Sequence, residues 1–254
     1  MSSPPNALVE VLRADPARTA ILLDFDGTLS PIVVDPACAA PIEGAPEALQ
    51  KLSSTYAVVA VVSGRPVSYL RSHLQESLVL VGLYGIEEAS GDSVGTHPGA
   101  ARWRSIVDDV AARAAEELPV GVGVEHKGLS LTLHVRAHPE LAPVVEAWAS
   151  QASSRSGLEV RRARMSTELH PPVATDKGTA VEALLGEVDV ACFIGDDVGD
   201  LPAFDALDRF AEAGGTAVRF VVESPETDPR LRQRADALLA GPPAVLDLLR
   251  ALTG

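Results

Sequence analysis

Residues 19–32 read TAILLDFDGTLSPI. An apolar run, Ile21-Leu22-Leu23, drives straight into Asp24 and Asp26, and Gly27 and Thr28 follow. A strand with no polar face is one buried on both sides, as in a parallel sheet covered by helices. Ligands of open α/β sheets gather at the carboxyl ends of the strands, where these two acids fall. Side chains two apart on an extended chain point the same way, so both carboxylates can face one reacting group. Two acids crowded in a low-dielectric place repel each other. A hard divalent cation with oxygen ligands is the simplest partner for them.

Working outward, the rhythm repeats. Residues 46–53 read as a short helix with Pro46 at its start, 57–62 as a buried strand, 66–74 as a helix and 78–83 as a strand. The middle differs. Residues 100–118 form one long Ala-rich helical pattern, and 120–125 and 129–136 are strands joined by the turn His126-Lys127-Gly128. The second strand alternates Leu129, Leu131, Leu133 and Val135 against Ser130, Thr132, His134 and Arg136, the pattern of a half-exposed antiparallel strand. A helix over 140–153 and an exposed strand over 158–164, carrying Arg161, Arg162 and Arg164, complete this part. After Lys177 the βα rhythm returns, with a helix from Thr179, strands over 190–194 and 216–222, a helix after Gly199 and two terminal helices. The expectation is an α/β fold: a doubly wound (Rossmann-like) parallel-sheet core over 1–96 and 169–254, interrupted by an inserted α+β unit over 97–168. The crossings between the two are expected near 91–98 and 166–172.

Composition sets outer bounds. The 254 residues are 46% hydrophobic and 22% charged, which is ordinary globular material. A net charge of −14 argues against a nucleic-acid partner. Two distant cysteines make neither a disulfide framework nor a zinc site, and Cys192 reads as inert core. The N-terminal stretch lacks a signal-peptide core, and no apolar run is long enough to span a bilayer. A cytoplasmic protein with a small-molecule partner is expected, with no nucleic acid and no membrane; a monomer is compatible with the sequence.

Three further strand ends or helix starts carry chemistry. VVSGRP (61–66) places Ser63 and Gly64 where they can donate hydrogen bonds to an anion. TDKG (175–178) sets Lys177 at the mouth of a helix, a cation where the helix dipole is already positive. FIGDDVGD (193–200) ends another apolar strand in Asp196, Asp197 and Asp200. Each motif alone is compatible with turn chemistry. The four in this order are not.

DFDGT, SGR, DKG and IGDDVGD together resemble the haloacid dehalogenase superfamily of phosphotransferases. The resemblance implies that Asp24 attacks phosphorus and that Asp26 serves as general acid and then base. It also implies that Thr28, Ser63 and Gly64 hold phosphoryl oxygens, that Lys177 neutralises charge, and that Mg²⁺ is bound. The candidate metal ligands are Asp24, Asp26, Asp196, Asp197 and Asp200. An insert placed after SGR resembles the cap domain of the superfamily's sugar phosphatases. LDFDGTLSPIV, GLYGIEEA, VEHKGLSLTLHVR and TELHPPVATDKG, in that order, resemble the trehalose-6-phosphate phosphatases. That resemblance implies substrate contacts at Arg65, Glu87, Lys127, Arg136 and Glu168. The chain departs from the family pattern at Tyr84 (usually His), His170 (Arg expected) and Thr175 (Trp expected), and in the acids after Asp200. These departures leave another glycosyl phosphate, such as glucosylglycerol or mannosylglycerate phosphate, open as the substrate. A phosphate-binding module without catalysis is the remaining alternative, and the presence of both Asp24 and Asp26 speaks against it.

Overall fold

A computed structural model describes residues 6–163, 165–225 and 227–254. It divides into two compact units, one built from the chain up to residue 95 together with 175–254, the other from 96–174. The first contains α1 (Asn6–Arg13), β1 (Thr19–Leu23), α2 (Ala45–Ser53), β2 (Val58–Val62), α3 (Val67–His73), β3 (Val79–Gly82), β4 (Glu87–Ser90) and β5 (Ser93–Thr96). The second contains α4 (Arg104–Glu117), β6 (Gly123–His126), β7 (Leu131–His134), α5 (Ala142–Ser156), β8 (Glu159–Ala163) and β9 (Ser166–His170). The chain then returns to the first through α6 (Lys177–Leu185), β10 (Val190–Gly195), α7 (Leu201–Glu212), β11 (Thr216–Val222), α8 (Pro229–Gln233), β12 (Ala237–Leu239) and α9 (Pro242–Leu252).

The first unit is the α/β core that the alternation predicts. Its sheet runs β12-β11-β10-β1-β2-β3-β4-β5, parallel from β12 to β3, with β4 antiparallel to β3. Strand β1 is central and all five of its residues are buried. Its side chains alternate between two apolar layers. Ile21 and Leu23 pack with Leu49, Leu52 and Leu248, from α2 and α9. Ala20 and Leu22 pack with Val181, Phe204 and Leu207, from α6 and α7. Cys192 lies wholly within the first layer, where burial pushes its thiol up to about 12. Strands β4, β5 and β12 carry no apolar period and escape a sequence reading; β4 is Glu-Glu-Ala-Ser and all four residues of β5 are exposed.

The second unit is a four-stranded sheet, β6-β7-β9-β8, antiparallel throughout. One face packs Leu131, Leu133 and Leu169 on Val107, Val110, Val145 and Trp148 of α4 and α5. Three expectations change here. The helix over 100–118 is a 3₁₀ turn, Ala101–Trp103, followed by α4. Ser130 and Thr132 are buried rather than half-exposed. They belong to an interior strand and its approach, flanked by the long side chains of Glu125 and Glu168 on the neighbouring strands. A boundary at 168/169, or a crossing over 166–172, would fall inside β9, whose residues pair with both β7 and β8. Arg164 lies outside the described residues. No helix among the described residues is long and apolar enough to cross a membrane.

Candidate active site

Asp24 directly follows β1, and its N–H continues the ladder to Ile194 O at 2.9 Å. The chain then turns sharply. Leu29 and Ser30 both donate to Phe25 O at 2.9 Å, and Gly27 donates to Ser30 O at 2.7 Å. Gly27 has φ +85°, a conformation a side chain resists. Asp196 ends β10, the parallel neighbour of β1, with Leu23 opposite Ile194. The register continued brings Asp24 opposite Gly195, and Asp196, one residue further on, comes with its carboxylate within 4.8 Å of that of Asp24. Asp200 reaches back from the next turn, and its Oδ2 accepts from the N–H groups of Asp196 (2.9 Å) and Asp197 (3.2 Å).

Lys177 opens α6 and is buried. Its Nζ lies 2.7 Å from Asp24 Oδ1 and 2.6 Å from Asp200 Oδ1. Burial works against the ammonium charge, but the carboxylates of Asp200 and Asp24 outweigh it and hold the group charged well above the usual lysine range. Asp176 fixes the helix start. Its carboxylate accepts from Thr179 N–H at 2.8 Å, while its own N–H donates to Thr179 Oγ1 at 3.0 Å. Gly178 allows close packing of α6 on α7, because a β-carbon there would lie 2.5 Å from Pro202 O. Both residues belong to the DKG motif, where sequence alone assigns a role only to Lys177; Asp before a helical run is an N-cap signal.

Oxygen atoms of Asp24, Asp196 and Asp200 all lie within 4.8 Å of one another. Burial, and then the neighbouring carboxylates, push Asp24 and Asp196 well above the usual carboxylate range, and Asp197 is raised in the same way. Three buried carboxylates lie together with one lysine, which pairs with Asp24 and Asp200, an electrostatic deficit that a divalent cation with oxygen ligands matches. Asp26 and Asp197 do not join this group with their side chains. Asp197 caps its own turn, accepting from Gly199 N–H at 2.7 Å. The Asp26 carboxylate is held by Arg65 at 2.7 and 2.8 Å.

The expected phosphoryl-holding groups lie at the same strand ends, Thr28 and Ser63 buried and Gly64 half-buried. Thr28 Oγ1 is buried and has no protein partner. Ser63 Oγ accepts from Arg65 N–H at 3.2 Å, and its own proton remains for an anion. Gly64 lies under the phenol of Tyr84, whose Cζ would be 2.6 Å from a β-carbon at position 64. Two expected substrate contacts are otherwise engaged. Arg65 grips Asp26 and Pro36 O, and Glu87 accepts from Val67 N–H at 2.8 Å, capping α3.

In the second unit, Glu125, Thr132, Glu168 and Arg161 occupy one cross-strand row. Glu125 Oε2 is 2.7 Å from His134 Nε2 and 3.7 Å from Lys127 Nζ, and Glu168 Oε2 is 3.5 Å from Arg161 Nη1. Ser130 Oγ, Thr132 Oγ1 and Glu168 Oε1 are buried without hydrogen-bond partners, so this polar face holds unmet hydrogen-bonding capacity. Arg136 lies past the end of β7, in the turn toward α5, so strand register does not place it in the row.

The family profile described as trehalose-phosphatase matches residues 22–235. The chain belongs to the trehalose-phosphatase family. It is 34% identical to the trehalose-phosphate phosphatase of Mycobacterium ulcerans over 256 residues, covering 89% of this chain and 64% of that protein. It is 36% identical over 214 residues to an uncharacterized glycosyl hydrolase of Mycobacterium tuberculosis, covering 78% of this chain but 16% of that protein. The chain thus spans less than two thirds of the length of these curated relatives. Among solved structures, the C-terminal domain of Candida albicans trehalose-6-phosphate phosphatase matches with a TM-score of 0.78 and 25% identity, covering 99% of this chain and 97% of that one. A trehalose-6-phosphate phosphatase related protein matches in fold, with a TM-score of 0.79. The resemblance read from the four motifs is borne out. Tyr84 sits in a left-handed turn (φ +57°), and His170 is buried with Nδ1 2.9 Å from Pro171 O.

Proposed function

We propose that the chain is a Mg²⁺-dependent phosphatase that hydrolyses trehalose 6-phosphate to trehalose and phosphate through an aspartyl phosphate on Asp24. The observation that carries this reading is the Asp24 carboxylate, held 2.7 Å from a buried lysine and grouped with Asp196 and Asp200 at the strand ends. An Asp24 oxygen attacks phosphorus, and the bond from phosphorus to the sugar oxygen breaks. Asp26 gives its proton to that oxygen. Water then attacks phosphorus, Asp26 takes the water's proton, and phosphate leaves with the Asp24 carboxylate restored. The Lys177 ammonium works against the burial that raises Asp24, favouring its ionised form, and offsets charge on the phosphoryl group. Thr28 and Ser63 donate their hydroxyl protons to it.

The donor set fits a hard cation: Asp24, Asp196 and Asp200 supply carboxylate oxygens and no soft ligand. When bound, Mg²⁺ supplies positive charge toward the phosphoryl oxygens. We assign the glucose units to the polar row of the second unit, with Lys127, Glu125 and Glu168 as hydrogen-bonding partners. A phosphate dianion does not cross a bilayer, which favours a cytoplasmic reaction.

Another glycosyl phosphate is the second reading. It is motivated by Tyr84 on the Gly64 backbone and by buried His170 where an arginine is expected. The deciding experiment measures phosphate release with Mg²⁺ and with EDTA on trehalose 6-phosphate, glucose 6-phosphate and glucosylglycerol phosphate, with Asp24→Asn as control. Metal-dependent preference for trehalose 6-phosphate supports the first reading. Activity on another ester alone selects the second. Turnover by Asp24→Asn would sink the mechanism.

A further inference from the structure

Arg65 faces the chain itself. Nε donates to Asp26 Oδ2 at 2.7 Å and Nη2 to Asp26 Oδ1 at 2.8 Å, two parallel bonds of a planar fork on a planar carboxylate. Nη1 donates to Pro36 O at 2.9 Å. The guanidinium carbon stands 4.5 Å from the centroid of the Tyr69 ring. Tyr69 is in turn packed against Phe25 (5.9 Å) and His73 (5.0 Å), and its hydroxyl donates to Ala39 O. Exposure separates the two partners: the Arg65 side chain is 7% exposed and that of Asp26 is 33%. The arginine is enclosed and braced, whereas the carboxylate it holds is open.

We propose that Arg65 is a positioning residue for Asp26, fixing by its fork the pose in which Asp26 meets the leaving oxygen. This rests on the reading of Asp26 as the proton-moving group. Each carboxylate oxygen has two lone-pair directions, and the fork takes one on each, so a proton can still be carried on the open side. A short aspartate at a turn, one third exposed, samples several rotamers when nothing grips it. Misplacing a reacting group by an ångström costs on the order of 100-fold in rate. Lysine offers a point charge and no fork, so charge alone does not replace the arginine. The bond to Pro36 O extends the brace to the loop that follows the first motif.

The test compares Arg65→Gln, Arg65→Lys, Asp26→Asn and the Asp26→Asn/Arg65→Gln double variant, with Mg²⁺, on trehalose 6-phosphate and p-nitrophenyl phosphate. The readout is kcat/KM, which reports steps up to phosphoryl transfer. The sugar oxygen is a poor leaving group and needs a proton; p-nitrophenolate does not. Asp26→Asn is expected to cost about 10²–10⁴-fold on the sugar ester and far less on the aryl ester. Arg65→Gln is expected to cost roughly 10- to 100-fold on the sugar ester and under about threefold on the aryl ester, with Arg65→Lys close to it. The double variant should be no slower than Asp26→Asn alone, because Arg65 acts through Asp26. Equal losses on both esters in Arg65→Gln, or a double variant slower than Asp26→Asn, would return Arg65 to substrate binding or packing. If Arg65→Gln fails to fold, Arg65→Lys decides, and a near wild-type sugar-ester rate there overturns the proposal. Equal losses on both esters in Asp26→Asn itself would remove the proton role and leave Arg65 no function to position.

Discussion

Gly27 lies under the carboxylate of Asp196: a β-carbon on Gly27 would stand 2.1 Å from Asp196 Oδ2. The glycine that lets the first motif turn is also the space into which an acid from a strand some 170 residues later is fitted, by about the reach of one side chain. Gly27→Ala should displace Asp196 and strain a backbone at φ +85°. Mg²⁺ affinity is expected to fall by about 10- to 100-fold, read as a shift in the Mg²⁺ concentration that raises Tm. An unchanged Mg²⁺ midpoint would show that Asp196 is placed by something other than this gap.

Lys177→Met removes the cation that two buried carboxylates share. Breaking a buried pair from one side costs roughly 3–5 kcal/mol, so urea unfolding without metal should show a loss of that size. Saturating Mg²⁺ should recover part of it, because a divalent ion answers the same charge deficit. Equal stability of variant and wild type in EDTA would contradict the shared-charge account.

His170 gives a pH signature. Burial, then Arg161, hold its pKa below the ordinary 6.5. Below pH 6.5 the unfolded chain takes up a proton that the folded chain does not, so stability falls as pH drops from 6.5 toward the folded value, and it is unaffected by this group above. His170→Gln lacks that term. The stability difference between variant and wild type should therefore shift in favour of the variant between about pH 7 and pH 5. A difference that is constant with pH would exclude the effect.

Lys127→Ala probes the sugar row. The Lys127 side chain is 9% exposed and 3.7 Å from Glu125. Losing one charge-assisted hydrogen bond should raise KM for trehalose 6-phosphate by about tenfold or more, and leave KM for p-nitrophenyl phosphate within about twofold. Equal changes on both substrates would take Lys127 out of sugar recognition.

What the sequence discloses of this site follows a physical division. Asp24, Lys177 and Asp196 are legible because phosphoryl chemistry demands those residue types at strand ends and helix mouths, and chain order preserves the pattern. The parallel core is legible because β1, β2 and β10 are apolar on both faces. Contacts between distant segments are not legible. Nothing near Arg65 indicates that its fork closes on Asp26, and nothing near Glu87 indicates that it caps α3. The alternation through 129–136 gives the correct apolar face but assigns Ser130 and Thr132 to solvent, because period two cannot tell an interior strand from an edge. Strands β4 and β5 are too short and too polar to carry a period, and β12, three apolar residues, is too short.

The pairing of β1 with β10 has a consequence for how the molecule matures. Asp24 and Asp196 become neighbours only when Leu23 aligns with Ile194, across the whole inserted unit. Closing so long a stretch of chain is slow compared with forming the local β1-α2-β2 segment. Until it happens, one edge of the fully buried strand β1 is unpaired and open to another chain. Refolding from denaturant should thus regain helical signal well before the proposed phosphatase activity, and the yield should drop with protein concentration in that interval.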